Sequence, residues 1–400
     1  MNEERVLNLD NIQDFTRRKH FPGTLNNEFD RILRRFDDIE KISSSLFSVI
    51  LFLLATFVTY PNYVQTLILF AFFIADWLLL LLLPVKKISF GPAKPPALIL
   101  AILRIPFALL PFPLWLASQF LGTLLVIYGF WIEPQRLRVT YQKLETEKFP
   151  KNFSLRVLHL GDLHLERITQ REKILNEWIQ RLQPDIILFS GDFLNLSYNE
   201  DPVAIQQVRE ILKEWNAPLG TFAVTGSEAV DLENVVPLIL DGIPIRWLKN
   251  ETVIVEKDST PFAISGITCS HRPFQDEPIL QKLSENLPNV FSILLYHSPD
   301  LAPNAARYSF DLMLAGHTHG GQVCFPLIGP LFTASLYGRR FQSGRYQIRD
   351  LVLYITRGIG LEGKAAPRVR FLCPPEIILW EIQGITNQST NETPSMEKNS

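Results

Sequence analysis

Cysteine is scarce in this chain. Its three residues, Cys269, Cys324 and Cys373, are odd in number and far apart, which argues against a disulfide framework and for reduced, incidental thiols. Strong charge of one sign is missing too. The formal net charge is −2, and no basic run is interleaved with aromatics, so nothing here recruits nucleic acid. The first forty residues are charged throughout and hold no early apolar core, so no cleavable signal peptide is expected. From about Ser44 to Ile132 charge almost vanishes, and Leu, Phe, Ile and Pro dominate. Outside that block the composition is that of an ordinary soluble protein, and 400 residues suffice for two or more domains.

Ahead of the apolar block, Leu25, Phe29, Ile32, Leu33, Phe36 and Ile39 recur at helical spacing, with Arg31, Arg34, Arg35 and Asp37 between them. The pattern predicts an amphipathic helix over Leu25–Ile42, lying on a membrane surface or packed on the protein itself. Ser44–Tyr60 and Tyr63–Leu83 are broken only by Pro61-Asn62 and Asp76, and each approaches the roughly 20 residues that cross a bilayer. They predict a helical hairpin, since lipid demands internally satisfied backbone. Pro96–Pro113 and Leu114–Ile132 form a second apolar stretch, interrupted by Arg104 and three prolines. A central Arg in lipid needs a partner, and Asp76 is the candidate. Cationic clusters at Arg31–Lys41, Lys86–Lys94 and Arg136–Lys143 all face the cytoplasm if four helices cross, which puts the C-terminal domain there as well. An odd number of crossings reverses that side.

The following domain repeats one device, an apolar strand ending in a turn that carries ligand-type residues. Leu155–Leu160 runs into Gly161-Asp162-Leu163-His164, and Asp185–Ser190 into Gly191-Asp192. Thr221–Thr225 ends in Gly226-Ser227-Glu228, Ser292–Tyr296 in His297, and Leu312–Ala315 in Gly316-His317-Thr318-His319. Acids and imidazoles at the ends of successive strands are how an open α/β sheet builds a site. Asp162, His164, Asp192, His297, His317 and His319 are too many ligands for one tetrahedral ion and suit two ions sharing a carboxylate. His159 and His271 read as structural and are left out of the set.

In their order, these motifs resemble the calcineurin-like metallophosphoesterases. Gly320-Gly321-Gln322, Arg357-Gly-Ile-Gly360 and Pro375-Glu376-Ile377 resemble the bacterial membrane-associated branch of that family. The resemblance covers about Leu155 to Ile382. It implies a four-layer α/β/β/α sandwich with two mixed sheets, preceded here by an α-helical transmembrane region. It also implies one ion held by Asp162, His164, Asp192 and His319, and a second held by Asp192, His297, His317 and the residue at position 227. The chain departs from the family in one motif. The usual Gly-Asn-His-Asp or Gly-Asn-His-Glu is Gly226-Ser227-Glu228-Ala229, so a hydroxyl replaces an amide ligand and Glu228 replaces the catalytic histidine. Glu228 replaces it as proton donor only if its pKa is raised, while a nearby dication favours the ionised form.

Expected, then, is a cytoplasmic N-terminal segment over 1–43, transmembrane helices over 44–132, a linker over 133–154, a metallophosphoesterase domain over 155–382 and a disordered tail over 383–400. The predicted reaction is hydrolysis of a phosphodiester or diphosphate by metal-activated water, with Asp192 and Glu228 as catalytic residues. Two divalent ions serve it, and Mn, Fe or Zn fits mixed Asp/His ligation better than Mg. The membrane part suggests a lipid-linked substrate and contact with membrane lipid. Ser227 and Glu228 support an alternative, a membrane-anchored phosphoester-binding or scaffold protein with a degraded catalytic site. Arg339 and Arg340 are placed either at the phosphate or on a solvated turn. Gly358-Ile-Gly360-Leu-Glu-Gly363 matches a dinucleotide fingerprint, but no helix is expected to open there, so it reads as a loop closing near the site.

Overall fold

The computed structural model describes residues 5–7, 22–24, 27–364 and 366–385. Within them two mixed sheets face each other. The six-stranded sheet runs Arg138–Thr146, Glu376–Gly384, Ser154–Leu160, Ile186–Phe189, Thr221–Ala223 and Ile245–Trp247. The seven-stranded sheet runs Arg5–Val6, Gly344–Ile348, Leu351–Ile355, Leu312–Ala315, Phe291–Leu295, Thr260–Gly266 and Glu251–Lys257.

Alternation along each strand decides what it buries. Leu155 and Val157 turn toward the second sheet and meet Ile293, Leu312 and Leu314, while Leu158 and Leu160 turn outward to Leu175, Ile179 and Val208. The helices Gln170–Leu182 and Pro202–Leu212 supply that outer layer, the first opened by a capping box between Thr169 and Glu172. On the far side, Met313 and Ala315 pack with Leu280 of the helix Pro273–Glu285. The parallel strands of both sheets end at one edge, and every strand-end motif lies along it.

The stretch expected to be a linker, 133–154, holds the strand Arg138–Thr146, parallel to Glu376–Gly384. Polar side chains hid it, and its place at the sheet edge explains them, since an edge strand exposes one flank. The expected tail begins after Gly384, and residues 386–400 lie outside the described residues.

The apolar block forms two helical hairpins. After α1 (Glu28–Asp37) come α2 (Ser44–Thr59) and α3 (Tyr63–Val85), their N-termini capped by Ser43 and Asn62. Residues 25 and 26 of the predicted amphipathic helix lie outside the described residues. Next are α4 (Lys94–Arg104) and α5 (Phe112–Ile127). Among the described residues, two helical runs are long and apolar enough to cross a membrane, Tyr63–Val85 and Phe112–Gln135. A third counts if the pair Arg31–Lys41 and Ser44–Thr59, bent by 105°, is one span. The predicted span Pro96–Pro113 is shorter than expected: α4 has 11 residues, about 16 Å of rise, before a turn at Pro106–Leu109.

Arg104 meets Asp76 as its sequence position suggested. Its Nε and Nη2 donate to the two carboxylate oxygens at 2.7 and 2.8 Å, and Nη1 donates to the Gln119 carbonyl at 2.6 Å. Both hairpins open toward the C-terminal domain. Lys94 Nζ donates to the carbonyls of Glu40 and Ile42, and Gln135 donates to the Ile88 carbonyl. Ser89 and Phe90 donate to Glu166 of the domain. The start of α2, the end of α3, the start of α4 and the end of the α5 run therefore lie together.

Candidate metal centre

Five of the predicted motifs meet at the shared strand edge. Asp162, His164 and His319 form one group of potential ligands, and Asp162, Asp192 and His297 a second. A third group is His271, His297 and His317. Within each group the ligand-type atoms lie within 4.8 Å of one another, and every member is buried. Asp192 stands between them: its Oδ2 is 3.2 Å from His164 Nε2 and 3.2 Å from His297 Nε2. Its other oxygen accepts the Ser227 backbone N–H at 2.8 Å, which fixes the carboxylate plane.

Backbone bonds lace these loops. The Asp162 N–H donates to the Gly191 carbonyl and the His164 N–H to the Asp192 carbonyl. Two glycines are required by close approach. A Cβ at Gly316 would lie 2.5 Å from Asp162 Oδ2, and one at Gly226 would fall on the Asp192 carboxylate. Asp162, His164, Asp192, His317 and His319 all have positive φ, between 41° and 71°, a strained conformation that clusters at functional sites. Two of the imidazoles are aimed by their other nitrogen. His297 Nδ1 lies 2.8 Å from the Ser190 carbonyl, leaving Nε2 for the site, and His317 Nε2 lies 2.8 Å from the Ala334 carbonyl, leaving Nδ1.

The electrostatics suit cations. Burial works against charge on His164 and His297, but the neighbouring Asp192 carboxylate outweighs it and lifts both to about 9. Burial would raise Asp192, yet His297 and His164 hold it well below the usual carboxylate range. Asp162 is pushed up to about 6 by burial, against the pull of His297. Burial drives His317 down to about 3 and His271 and His319 well below the ordinary imidazole range, so these three are in the neutral form that metals bind. Asp162 Oδ2, His164 Nδ1 and His271 Nδ1 are buried without a hydrogen-bond partner, and Nε2 of His164 and His319 face each other at 2.9 Å. A carboxylate oxygen and convergent imidazoles left in this state fit divalent ions.

The remaining predicted residues divide. Ser227 is at the site, its Oγ 3.3 Å from His297 Nε2. Glu228 belongs to none of the three ligand groups and accepts from Arg272 Nη1 at 3.2 Å, about a third exposed. Arg339 and Arg340 sit exposed on the turn Gly338–Arg340 and do not line the cleft. His159 lies beneath the site, 3.1 Å from Ser190 Oγ. The loop after Leu351–Ile355 opens no helix, and Ile359 and Gly360 donate instead to the Asp162 carbonyl.

Two buried acids, Asp231 and Asp300, were not singled out in the sequence, and His271, read there as structural, lies at the site. His271 joins His297 and His317. Asp231 accepts from the backbone N–H groups of Asp192, Phe193 and Gly226, holding two site loops together. Asp300 accepts from Ser335 and the Leu336 N–H, which fixes the segment whose Ala334 carbonyl orients His317. An acid five residues past Gly226 and another three past His297 were the available signals.

The cleft over the site has a volume of about 230 Å³ and includes Asp192, Ser227, His317 and His319. A second cavity of about 440 Å³ runs between α4, α5 and the segment 323–325, lined by Leu103, Phe107, Leu125 and Phe325. Val323, Pro367 and Val369 line both. Beside them the segment 325–332 exposes Phe325, Leu327, Ile328, Leu331 and Phe332.

A buried, strand-end set of acids and imidazoles between two mixed sheets defines a metal-dependent phosphoesterase. Comparison with known proteins agrees. Residues 155–321 match the family model described as calcineurin-like phosphoesterase. The chain is 29% identical over 264 residues to the uncharacterized metallophosphoesterase YkuE of Bacillus subtilis, covering 64% of this chain and 89% of that protein. It is 28% identical over 265 residues to the phosphodiesterase YaeI of Escherichia coli, covering 63% and 88%. With the UDP-2,3-diacylglucosamine pyrophosphatase LpxG of Chlamydia trachomatis it shares 24% over 309 residues, covering 62% and 90%. Residues 155–321 thus carry a calcineurin-like phosphoesterase domain, and the relatives it resembles are metallophosphoesterases, hydrolases that act on phosphoester bonds.

Proposed function

We propose that this chain hydrolyses the phosphodiester or diphosphate of a lipid-linked substrate, with the polar head in the metal cleft and acyl chains in the apolar cavity. The observation that carries the reading is the wall shared by the two cavities, Val323, Pro367 and Val369. A relative named for cleaving a diacylated sugar nucleotide supports the same substrate class. So do the exposed apolar side chains of the segment 325–332, which fit insertion at a lipid surface.

In this reading Asp162, His164, Asp192 and His319 hold one divalent ion, and Asp192, His297 and His317 hold the other beside Ser227. Mn, Fe or Zn suits the mixed ligands. When bound, the ions neutralise phosphate charge and activate water for in-line attack. The chain's part is to hold the ligands rigid, with Asp231 and Asp300 as their supports, and to exclude bulk water. Arg272 pairs with Glu228 at 3.2 Å and so ties the loop that carries His271 to the loop that carries Ser227. The domain is a four-layer sandwich of helices on two sheets, and its boundary moves back from 155 to Arg138. The two hairpins form a multi-pass membrane region, with the N-terminal segment, the three cationic clusters and the catalytic domain all on the cytoplasmic side. The return of both hairpins to the domain supports placing it on the same side as the N-terminal segment.

Turnover by the full chain in detergent, loaded with Mn(II), tests this on a diacylated nucleoside-diphosphate sugar, its deacylated form and an aryl phosphodiester, beside Asp192→Asn. The acylated substrate should be cleaved fastest, and the variant should be silent on all three. Equal rates with and without acyl chains would remove the lipid assignment. Equal background in both proteins would favour the non-catalytic binder that Ser227 and Glu228 suggest. Protease added to intact cells should leave the catalytic domain whole if it is cytoplasmic.

A further inference from the structure

We infer that His271 is a ligand of the second divalent ion, filling the coordination place that position 227 cannot fill with a hydroxyl alone. The inference rests on the two-ion reading of the site. His271 is 1% exposed and lies on the loop between the strand Thr260–Gly266 and the helix Pro273–Glu285. Its ring centroid is 4.2 Å from that of His317 and 5.7 Å from that of His297. Its Nε2 is 3.1 Å from Ser227 Oγ, which is itself 3.3 Å from His297 Nε2. The hydroxyl thus sits between two imidazoles, and its short reach leaves room for a longer side chain to arrive from the opposite loop.

Backbone and burial agree. His271 has φ of 55°, inside the 41–71° range of Asp162, His164, Asp192, His317 and His319. Its Nδ1 is buried without a partner, although burying a polar nitrogen unsatisfied is costly. The neighbouring residue completes the pattern, because Arg272 pairs with Glu228 just as His271 contacts Ser227. One loop therefore answers both unusual residues of Gly226-Ser227-Glu228. With His271 the second ion has three imidazoles and the Asp192 carboxylate. That set favours Zn, Fe or Co over Mg, which prefers oxygen.

The test is metal content and cobalt(II) absorption of the full-length protein, wild type beside His271→Ala, His271→Asn and the double change Ser227→Asn with His271→Ala. Wild type should hold two equivalents, and His271→Ala should lose one or bind it about tenfold or more weakly. Ser227→Asn in that background should restore the second equivalent. His271→Asn, which is smaller but offers an oxygen donor, should retain the ion with an altered cobalt spectrum. Two equivalents at unchanged affinity in His271→Ala, or an unaltered spectrum in His271→Asn, would overturn the assignment and leave the two-ion reading standing. Fewer than two equivalents in wild type would overturn that reading itself, and this inference with it. Apo-protein melting curves separate a lost ligand from a lost fold.

Discussion

His271 Nε2 stands 3.1 Å from Ser227 Oγ, although 44 residues separate the two along the chain. The contact joins the loop that departs from the family pattern to a loop with no motif of its own. It makes the departure at position 227 local, because the other ligand candidates keep their places around it.

Asp192 carries the heaviest consequence. One of its oxygens is 3.2 Å from imidazoles on both sides, which places it to serve both ions. Asp192→Asn is expected to lower kcat by more than the roughly 10–100-fold typical of outer-sphere partners, and to weaken both ions. Turnover and elemental analysis on the same preparation check this. Loss of one ion only would assign Asp192 to a single site.

Asp231 tests the support beneath that carboxylate. It takes three backbone N–H groups, and an amide in its place can accept on one oxygen only. Asp231→Asn is expected to cost about 1–3 kcal/mol of stability and to weaken metal binding roughly 10–100-fold. Thermal melts of the apo-protein and a Mn(II) titration read the two effects separately.

Much of the site was legible because its residues sit where an apolar strand breaks at glycine. Asp162, Asp192 and His317 each follow Leu/Ile-rich runs and a Gly, a local signal that needs no knowledge of the fold. His271 has no such signal. It lies between Ser270 and Arg272 after a short strand, and only packing of the two sheets brings it to Ser227. The edge strand Arg138–Thr146 was hidden for the opposite reason, since its polar composition reflects exposure and its partner lies more than two hundred residues away. The Arg104–Asp76 pair was legible from the expense of two lone charges in an apolar block.

That pair gives the third prediction. Asp76 is fully buried, and Arg104→Ala leaves its carboxylate without a counter-charge. The expected cost is about 3–5 kcal/mol, while Arg104→Met with Asp76→Leu should recover most of it. Thermal stability in detergent compares the three proteins. Equal stability of the single and double variants would mean that the pair is not coupled.

The segment 325–332 offers a separate test of lipid access. Leu327 and Ile328 are exposed large apolar side chains a few residues along the chain from Val323 of the shared cavity wall. Leu327→Asp with Ile328→Asp should slow cleavage of a vesicle-borne substrate about tenfold, equivalent to roughly 1.4 kcal/mol of lost apolar contact. Cleavage of a soluble aryl phosphodiester should change little. Equal losses on both substrates would mean that the segment shapes the cleft and does not meet lipid.

The central claim is that acids and imidazoles from separate strand ends grip a pair of cations about Asp192. Anomalous diffraction from crystals grown with Mn(II) or Zn(II) measures this directly. The account predicts two peaks about 3.5–4 Å apart on either side of the Asp192 carboxylate, one beside His164 and His319, the other beside His297 and His317. A single peak, or none, would contradict it.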